Sequence, residues 1–282
     1  MAKRPKVSLL QFTFLSKYIG RQQTVNLYLP YGCYSAAEQA QRPYKVLWLL
    51  HGKSDDYNTW LRNSVAETIA RENDLAVVMP DAGNSFYTDM AYGPAYYTYI
   101  TEEIPEVLYG LLPLSQKKED NFLCGVSMGG YGTLKIGLSH PERFAALCAM
   151  SSAADIVELM AGRAEPVETP ADGSFSEAEF NRTLAISVFG DELDRLKGSK
   201  HDLFALFDRA NEKGVQPPVY MTCGTEDGLI KGNDKLYAYC HERGYDVTYE
   251  TGPGAHDWNV WNRDIQQFIR FLKERGLLDT NN

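Results

Sequence analysis

The sequence predicts an α/β fold in which an eight-stranded, mostly parallel sheet is covered by helices on both faces. From residue 45 onward, short apolar runs alternate with segments of helical pattern. Nearly continuous apolar runs are typical of strands that are buried on both faces of a parallel sheet. Because strand, helix and strand follow one another along the chain, we expect right-handed crossovers and a doubly wound sheet.

Each strand of this sheet can be placed in order. VSLLQFTF (7–14) and QTVNLYLP (22–29) are joined by a short polar link and predict an antiparallel pair that opens the sheet. The buried parallel strands are expected at KVLWLL (45–50), LAVVMP (75–80), NFLCGV (121–126), FAALCAMS (144–151) and PVYMTCG (218–224). DVTYET (246–251) is more mixed in polarity and is therefore expected nearer an edge. Helices are predicted between the strands, at 59–73, 96–112, 129–139, 203–213, 232–243 and 260–275.

The segment 155–200 interrupts this alternation. It contains scattered acidic residues together with Pro166, Pro170, Gly173, Gly190 and Gly198. The segment is too long for an ordinary loop. We therefore predict one domain over 1–282, in which 155–200 is an insertion that covers the active-site end of the sheet.

Composition excludes several classes of function. The chain has 28 Lys and Arg against 37 Asp and Glu, a formal charge of −9, and contains no basic run. This balance argues against a nucleic acid or an anionic membrane surface as a partner. Hydrophobic residues make up 44% of the 282 residues, as in globular proteins, and no apolar stretch approaches the ~20 residues that a membrane span needs.

The N-terminus and the cysteines predict a cytoplasmic protein. The apolar positions of the first 21 residues are interrupted by polar ones, which disfavours a signal peptide. The chain has five cysteines, an odd number without a CxxC pair, which does not suggest a disulfide or zinc framework: Cys33, Cys124, Cys148, Cys223 and Cys240.

The clearest chemical signal is the motif Gly125-Val126-Ser127-Met128-Gly129. A serine on a tight strand-to-helix turn has strained backbone angles, and the turn closes only if its neighbours lack side chains. An apolar strand precedes this motif and a helical pattern follows it, as such a turn requires. Ser127 is therefore predicted to be a nucleophile, and a helix N-cap is the alternative.

A serine nucleophile needs a base, and the base needs an acid that orients it. In this type of fold the base follows the last strand, where the loop GPGAHDW contains His256. The positions of His140, His201 and His241 disfavour them, and a surface or capping role is predicted for His201. The predicted acid is Asp227, directly after the strand 218–224.

Glu226 is the alternative acid, since it neighbours Asp227, but a solvated position is expected for it. Asp257, next to His256, is predicted to favour the first turn of the last helix through its charge.

Backbone amides are expected to bind the oxyanion. One is the N–H of Met128, directly after the nucleophile. The other is the N–H of Lys53 in LLHGKSDD, where His51 and Gly52 let the chain turn back, and the Lys53 side chain need not take part. We predict that His51 pins this loop and has no direct catalytic role.

Aromatic residues offer walls for a substrate pocket. Phe86 and Tyr87 follow the strand that ends at Pro80, at the same end of the sheet as Ser127, and Trp258 lies in the loop of the predicted base. These three are predicted to contact substrate. Packing is the alternative for Phe86 and Tyr87, and packing is favoured for Trp261.

Taken as a set, LLHGKSDDYNTW, MPDAGNSFYTDMAYG, GVSMGGYGTLKIGLSHPERF, GTEDGLI and GAHDWNVWNRDI resemble the esterase D-type branch of the α/β-hydrolases. The branch includes tributyrin-esterase-like enzymes, S-formylglutathione hydrolases and feruloyl or cinnamoyl esterases. The resemblance spans about residues 7–275 and implies Ser127 as nucleophile, Asp227 as acid and His256 as base, with oxyanion amides at Lys53 and Met128. The Lys after HG departs from the small or apolar residue that is more usual there.

The expected activity is hydrolysis of short-chain or aromatic carboxylic esters through an acyl-enzyme, with no metal and no cofactor. A thioester hydrolase, an acyltransferase and a catalytically inactive binding protein are the alternatives. The expected partner is a small-molecule ester, and a homo-oligomer is possible because members of the branch often associate.

Overall fold

The computed structural model describes residues 6–31, 42–165, 167, 172 and 174–279 of the chain. Within these ranges eight strands form one sheet in the order β1-β2-β4-β3-β5-β6-β7-β8. The strands are β1 (Lys6–Leu15), β2 (Gln22–Tyr31), β3 (Lys45–Leu50), β4 (Leu75–Pro80), β5 (Asn121–Val126), β6 (Ala146–Met150), β7 (Val219–Gly224) and β8 (Val247–Gly252).

The directions of the strands confirm the predicted sheet. β1 pairs antiparallel with β2, and β2 pairs antiparallel with β4. The pairs from β4 through β3, β5, β6 and β7 to β8 are all parallel. β8 lies at one edge, as its mixed polarity predicts.

Apolar clusters cover both faces of the sheet, and the alternation along β3 shows how. Val46, Trp48 and Leu50 pack into one cluster. Leu47 and Leu49 point the other way and pack into the second. Every residue of β4, β5, β6 and β7 is buried, because helices lie against both sides of these strands.

The helices lie near the predicted intervals. They are α1 (Thr59–Asn63), α2 (Ala66–Asn73), α3 (Tyr96–Thr98), α4 (Ile104–Leu111), α5 (Met128–Ser139), α6 (Ile156–Ala161), α7 (Glu177–Phe189), α8 (Leu203–Glu212), α9 (Ile230–Glu242) and α10 (Trp258–Glu274).

The helix predicted over 59–73 is two helices, because Ser64 interrupts it. The Ser64 hydroxyl donates to the carbonyl oxygen of Trp60 (2.6 Å) and accepts the N–H of Ala66 (3.1 Å). It therefore ends α1 and begins α2, as a hydroxyl that competes for backbone hydrogen bonds does.

The helix predicted over 96–112 contains a π-helical turn, Tyr99–Glu103. Pro105 follows this turn and has no N–H to donate to the carbonyl of Thr101. Arg143 supplies the missing donor through Nη1, at 2.7 Å from the Thr101 oxygen. The sequence pattern does not reveal the turn, because the compensating guanidinium comes from a distant part of the chain.

The segment 155–200 contains α6, α7 and a 3₁₀ turn at Leu193–Arg195. Pro166, Pro170 and Gly173 lie outside the described residues. The end of α7 is joined to the loop after β4 by two backbone hydrogen bonds, from Ala91 N to Val188 O (3.1 Å) and from Tyr92 N to Ser187 O (2.9 Å). Gly190 ends α7 with φ +89°, a conformation that favours glycine.

Cys124, Cys148, Cys223 and Cys240 are buried free thiols, and Cys33 lies outside the described residues. In the part of the chain that the structure describes, no helix is both long and apolar enough to cross a membrane.

Lys135 of α5 is a buried ammonium group. Its Nζ donates to the Thr88 hydroxyl and lies 3.4 Å from His201 Nδ1. The rings of Tyr97 and Tyr131 face the ammonium at 5.4 and 5.7 Å. Burial lowers the pKa of Lys135 to about 7, because the charged form loses its hydration in the core.

The surface or capping role predicted for His201 is wrong. Its side chain is buried, and its ring packs edge-on against Phe189 at 5.2 Å. The N-cap of α8 is Asp202, whose carboxylate accepts the N–H of Phe204 (3.0 Å). Burial lowers the pKa of His201 to about 3, so the ring is neutral beside Lys135.

Replacing Lys135 with Met should stabilise the protein by on the order of 1–3 kcal/mol at pH 7, since the apolar stem is kept and the buried charge is removed. Between pH 7 and 10 the unfolded chain keeps its proton on Lys135 while the folded protein releases it. The Lys135 side chain therefore destabilises the folded state less as the pH rises. The gain in free energy of unfolding that Lys135→Met gives over the parent protein should shrink accordingly.

Urea unfolding at pH 7, 8.5 and 10 measures this trend. Lys231→Met, at an exposed position of α9, is the matched control and should show no such change with pH. An advantage of Lys135→Met that stays constant from pH 7 to 10 would contradict the prediction.

Candidate active site

Ser127 lies on the turn between β5 and α5 with φ +57° and ψ −117°, in the left-handed region that non-glycine residues rarely adopt. The flanking glycines are there for steric reasons. A Cβ on Gly125 would lie 2.3 Å from the carbonyl oxygen of Gly129, and one on Gly129 would lie 2.2 Å from that of Leu50. No side chain fits at either position, which confirms the steric reason predicted for the two glycines of the motif.

Hydrogen bonds from neighbouring elements hold this turn. The N–H of Ser127 donates to the Met150 oxygen at the end of β6 (2.9 Å). The Ser127 oxygen accepts the N–H of Tyr131 (3.1 Å) and that of Ala153 (3.2 Å). The strained residue is therefore tied both to its own helix and to the loop after β6.

Asp227 and His256 are brought together by the loops after β7 and β8. Asp227 Oδ2 lies 2.8 Å from His256 Nδ1, and the Asp227 side chain is 0% exposed whereas that of His256 is 37% exposed. Asp227 Oδ1 accepts the N–H of Leu229 (2.8 Å). Burial acts to raise the pKa of Asp227, but hydrogen bonds from His256 and Leu229 outweigh it and keep this pKa below its ordinary value.

Glu226 is exposed, as predicted, and it also makes hydrogen bonds that the sequence did not reveal. Its carboxylate accepts the N–H of Gly254 and the hydroxyl of Thr225 (2.9 Å). Gly254 lies two residues before His256, so Glu226 anchors the loop that carries the histidine. Sequence reasoning missed this function because the two partners are far apart in the chain.

Asp257 has the role predicted for it. Its carboxylate accepts the N–H groups of Asn259 (2.8 Å) and Val260 (3.3 Å) at the start of α10. It thereby caps the helix that begins directly after His256.

A cavity of about 280 Å³ opens beside Ser127. The residues that line it come from the loop after β3, the turn at Ser127, the loop after β8 and the start of α10: Gly52, Lys53, Asp55, Ser127, His256, Asp257, Trp258 and Trp261. Trp258 therefore lies where substrate contact is predicted. Trp261 is mostly buried, as the packing prediction requires, and it also borders the cavity.

The loop after β3 approaches the nucleophile closely. A Cβ on Gly52 would lie 3.5 Å from the Cβ of Ser127. Asp55 accepts the N–H of Gly52 (3.2 Å), which holds the bend, and sequence reasoning missed this acid although it follows the glycine by three positions. The Lys53 side chain points away, since its Nζ donates to Asn181 Oδ1 of α7 (2.9 Å).

Met128 is the first residue of α5, and the N–H groups of a first turn have no partner inside the helix. The positive end of the helix dipole lies at the same place. Such an amide can bind an oxyanion, and the Lys53 amide, on the loop that approaches Ser127, stays the predicted second donor.

His51 holds the loop after β3 in place through hydrogen bonds of its buried ring, as predicted. Its ring is fully buried, Nε2 accepts the N–H of Ala82 (2.9 Å), and Nδ1 lies 2.8 Å from the Gly52 oxygen. Because Nε2 is an acceptor, the proton is on Nδ1, which donates to Gly52.

Phe86 and Tyr87 do not line this cavity; the structure gives them a packing role. They are 3% and 0% exposed. The Tyr87 hydroxyl donates to the His51 oxygen (3.0 Å), and a Cβ on Gly132 would lie 2.3 Å from the Tyr87 ring. Both residues have positive φ, which turns their side chains inward under the loop after β3. The sequence alone does not show that these two side chains point inward.

The described residues contain no cluster of three or more His, Cys, Asp or Glu side chains that could hold a metal ion.

Comparison with known proteins gives consistent matches over most of the chain. The family model for putative esterases matches residues 16–272. An acetyl esterase from Caldicellulosiruptor saccharolyticus is 33% identical over 95% of this chain and 99% of its own. The fluorophosphonate-binding serine hydrolase FphF of Staphylococcus aureus superposes with a TM-score of 0.80 at 32% identity, covering 94% of this chain and 98% of its own. The S-formylglutathione hydrolase FrmB of Staphylococcus aureus gives 0.79 at 32% identity, covering 95% and 99%.

Replacing Gly129 with Ala should disrupt the site, because the new Cβ would push the Leu50 carbonyl and with it the loop that carries the Lys53 amide. We expect kcat/KM to fall by about 100-fold or more and stability to fall by on the order of 1–3 kcal/mol. Steady-state kinetics on an activated ester and urea unfolding measure the two effects.

Gly110→Ala is the matched control, since a Cβ there meets nothing within 4 Å and the residue lies in α4. It should leave kcat/KM unchanged and raise stability by about 0.5–1 kcal/mol. Equal losses of kcat/KM in Gly129→Ala and Gly110→Ala would show that the close contact at Gly129 is not the cause of the lower activity.

Substitution of the two neighbouring acids tests which of them serves His256. Asp227→Asn should lower kcat by about 10,000-fold, because an amide favours the wrong tautomer of the imidazole. Glu226→Gln keeps an oxygen that can accept the Gly254 N–H, so kcat should fall by less than about tenfold. The reverse order of the two effects would assign the acid to Glu226.

Proposed function

The chain belongs to the putative-esterase family and is a carboxylic ester hydrolase with an α/β-hydrolase fold, and from this premise we propose that it hydrolyses esters of short-chain acids on Ser127. Asp227 and His256 complete the catalytic set, and the amides of Lys53 and Met128 bind the oxyanion. The observation that carries this proposal is the small cavity that Ser127 shares with His256 and Lys53.

Each residue has a defined task in this reaction. His256 Nδ1 is occupied by Asp227, which leaves Nε2 to remove the proton from Ser127 Oγ as the oxygen attacks the ester carbonyl. The Lys53 and Met128 amides stabilise the charge on the carbonyl oxygen. The leaving alcohol takes its proton from His256. Water, activated by the same imidazole, then releases the acid from Ser127.

The size of the cavity favours a short acyl group. A volume of about 280 Å³ lies just below the range of about 300–1,000 Å³ that is usual for ligand pockets. Trp258 and Trp261 wall it and are held edge-to-face, with ring centroids 5.1 Å apart, while Trp60 packs against Trp258 at 4.9 Å. Rings packed in this way do not move aside easily to admit a longer acyl chain. The likeness to an acetyl esterase supports the same conclusion.

A thioester with a very small acyl group is the second candidate. Formyl is the smallest acyl group and fits the same cavity, and the likeness to FrmB, an S-formylglutathione hydrolase, supports it. The chemistry on Ser127 is unchanged, because a thiolate replaces the alkoxide as leaving group. The two candidates therefore differ in the leaving group that the site accepts.

We also propose that the segment 155–200 covers the active-site end of the sheet within a single domain. The hydrogen bond from Lys53 Nζ to Asn181 of α7 supports this placement. A cytoplasmic location is part of the proposal as well. Cys124 and Cys148 lie opposite one another on β5 and β6 and are free thiols, which suits a reducing compartment.

Turnover of p-nitrophenyl acetate, butyrate and octanoate, of methyl ferulate and of S-formylglutathione tests the proposal. We expect kcat/KM to be highest for acetate or butyrate and to fall by about tenfold or more at octanoate, since the longer chain meets the tryptophan wall. Ser127→Ala should abolish turnover of every substrate.

Preference for S-formylglutathione over the acetate ester would favour the second candidate. A preference for ferulate or octanoate would contradict the argument from cavity size. Acyl transfer to added glycerol in excess of hydrolysis would indicate an acyltransferase.

A further inference from the structure

Ser151 occupies an unusual position directly after β6. It is fully buried, and its φ of +47° is in the left-handed region. Its N–H donates to the Thr222 oxygen of β7 (2.8 Å). A non-glycine residue is held in this conformation only where its surroundings enforce it, which makes the site of such strain a place to look for function.

The Ser151 hydroxyl links two parts of the active site. Its oxygen accepts the indole N–H of Trp261 at 3.0 Å. A serine hydroxyl has one proton to donate, and the candidate acceptors are the Asp227 carboxylate and the Cys223 sulfur. The carboxylate is much the stronger acceptor. Its hydrogen bond with Ser151 is one of the contacts that keep the pKa of Asp227 low.

Trp261 is the other partner, and it touches the base. Its ring meets the His256 imidazole edge-to-face, with centroids 4.9 Å apart. The imidazole is therefore held between the Asp227 carboxylate at Nδ1 and the indole of Trp261. Ser151 accepts a hydrogen bond from the Trp261 indole, and the Asp227 carboxylate is the acceptor for its own proton. Ser151 is not among the residues that line the cavity beside Ser127.

We propose that Ser151 is a positioning residue for the hydrolysis, whose hydroxyl fixes the Asp227 carboxylate and the Trp261 indole in the orientation that aligns His256. This inference rests on the proposed function, since it assigns a task only if Asp227 and His256 act on Ser127. It also accounts for the strained backbone, because φ +47° lets one side chain reach the loop after β7 and α10 together.

The neighbouring Ser152 provides a matched control. It is equally buried, and its hydroxyl has no hydrogen-bond partner among the described residues. Ser152→Ala therefore removes a hydroxyl from the same loop at the same depth without touching Asp227 or Trp261.

The test compares Ser151→Ala, Ser151→Gly and Ser152→Ala in kinetics on p-nitrophenyl acetate. Ser151→Gly removes the hydroxyl and relieves the positive φ, so it remains informative if Ser151→Ala folds poorly. For both Ser151 variants we expect kcat to fall by about 10- to 100-fold with KM within about threefold, because the imidazole is misaligned while the cavity is intact. Ser152→Ala should keep the kcat of the parent protein.

The pH profile supplies a readout that a purely structural role would not move. Asp227 contacts His256 at Nδ1 from the loop after β7, and the acids that line the cavity with it are Asp55 from the loop after β3 and Asp257 beside it in the chain. Lys53 also borders the cavity, with its ammonium bonded to Asn181. Without the Ser151 hydroxyl, the Asp227 charge is less neutralised and holds protonated His256 more strongly. The acid limb of kcat/KM should therefore move to higher pH by about half a unit.

Trp261→Phe keeps an aromatic ring beside His256 and removes the N–H that Ser151 accepts. It should lower kcat in the same direction as the Ser151 variants, and the losses should not add in the double variant because they break one network. Additive losses would contradict the proposal.

Ser151 variants that melt at a lower temperature but keep the kcat and the acid limb of the parent protein would overturn the inference and leave the proposed function standing. Absence of any Ser127-dependent turnover in the parent protein would instead mean that the proposed function has failed.

Discussion

The active-site end of this protein depends on the left-handed backbone of Ser127. Such a conformation costs on the order of 1–3 kcal/mol for a non-glycine residue, so the surroundings must enforce it. They do so through close backbone contacts between the turn and the neighbouring strands. Gly129 packs closely against the Leu50 carbonyl at the end of β3, Gly125 packs closely against Gly129, and the Ser127 amide donates to Met150 at the end of β6. β3, β5 and β6 must therefore be adjacent and parallel, as the sheet has them.

The same adjacency gathers the polar groups. Parallel strands present their carboxyl ends at one edge, so the residues that follow β5, β6, β7 and β8 converge there. Ser127, Ser151, Asp227 and His256 come from these four positions. Two of them, Ser151 and Asp227, are buried, and each has a hydrogen-bond partner from a later part of the chain, Trp261 for Ser151 and His256 for Asp227. A displacement of one strand would leave several polar groups unpaired at once, which makes the geometry of the site and the integrity of the sheet a single property.

The sequence allowed the strands, their directions and the pairing of Asp227 with His256 to be predicted, because each follows from local patterns and from chain order. What it did not allow depends on contacts between distant residues. Phe86 and Tyr87 are buried because both have positive φ angles. Neither position is a glycine, so the sequence does not indicate this conformation. The π-helical turn depends on Arg143, and the role of Glu226 depends on where Gly254 lies. His201 is buried because Phe189 and Lys135 enclose it, and no periodicity shows this.

These observations divide the site into two parts with different origins. One wall of the cavity is made by Gly52, Trp258 and Trp261, which belong to the loop after β3 and to a long helix packed on the sheet. The width of the cavity beside Ser127 is thus determined by the same packing that stabilises the fold. The loop after β3 is also joined to α7, through the hydrogen bond between Lys53 and Asn181. Since α7 belongs to the segment that interrupts the regular alternation of the fold, the loop that approaches Ser127 is in contact with this segment as well as with the sheet.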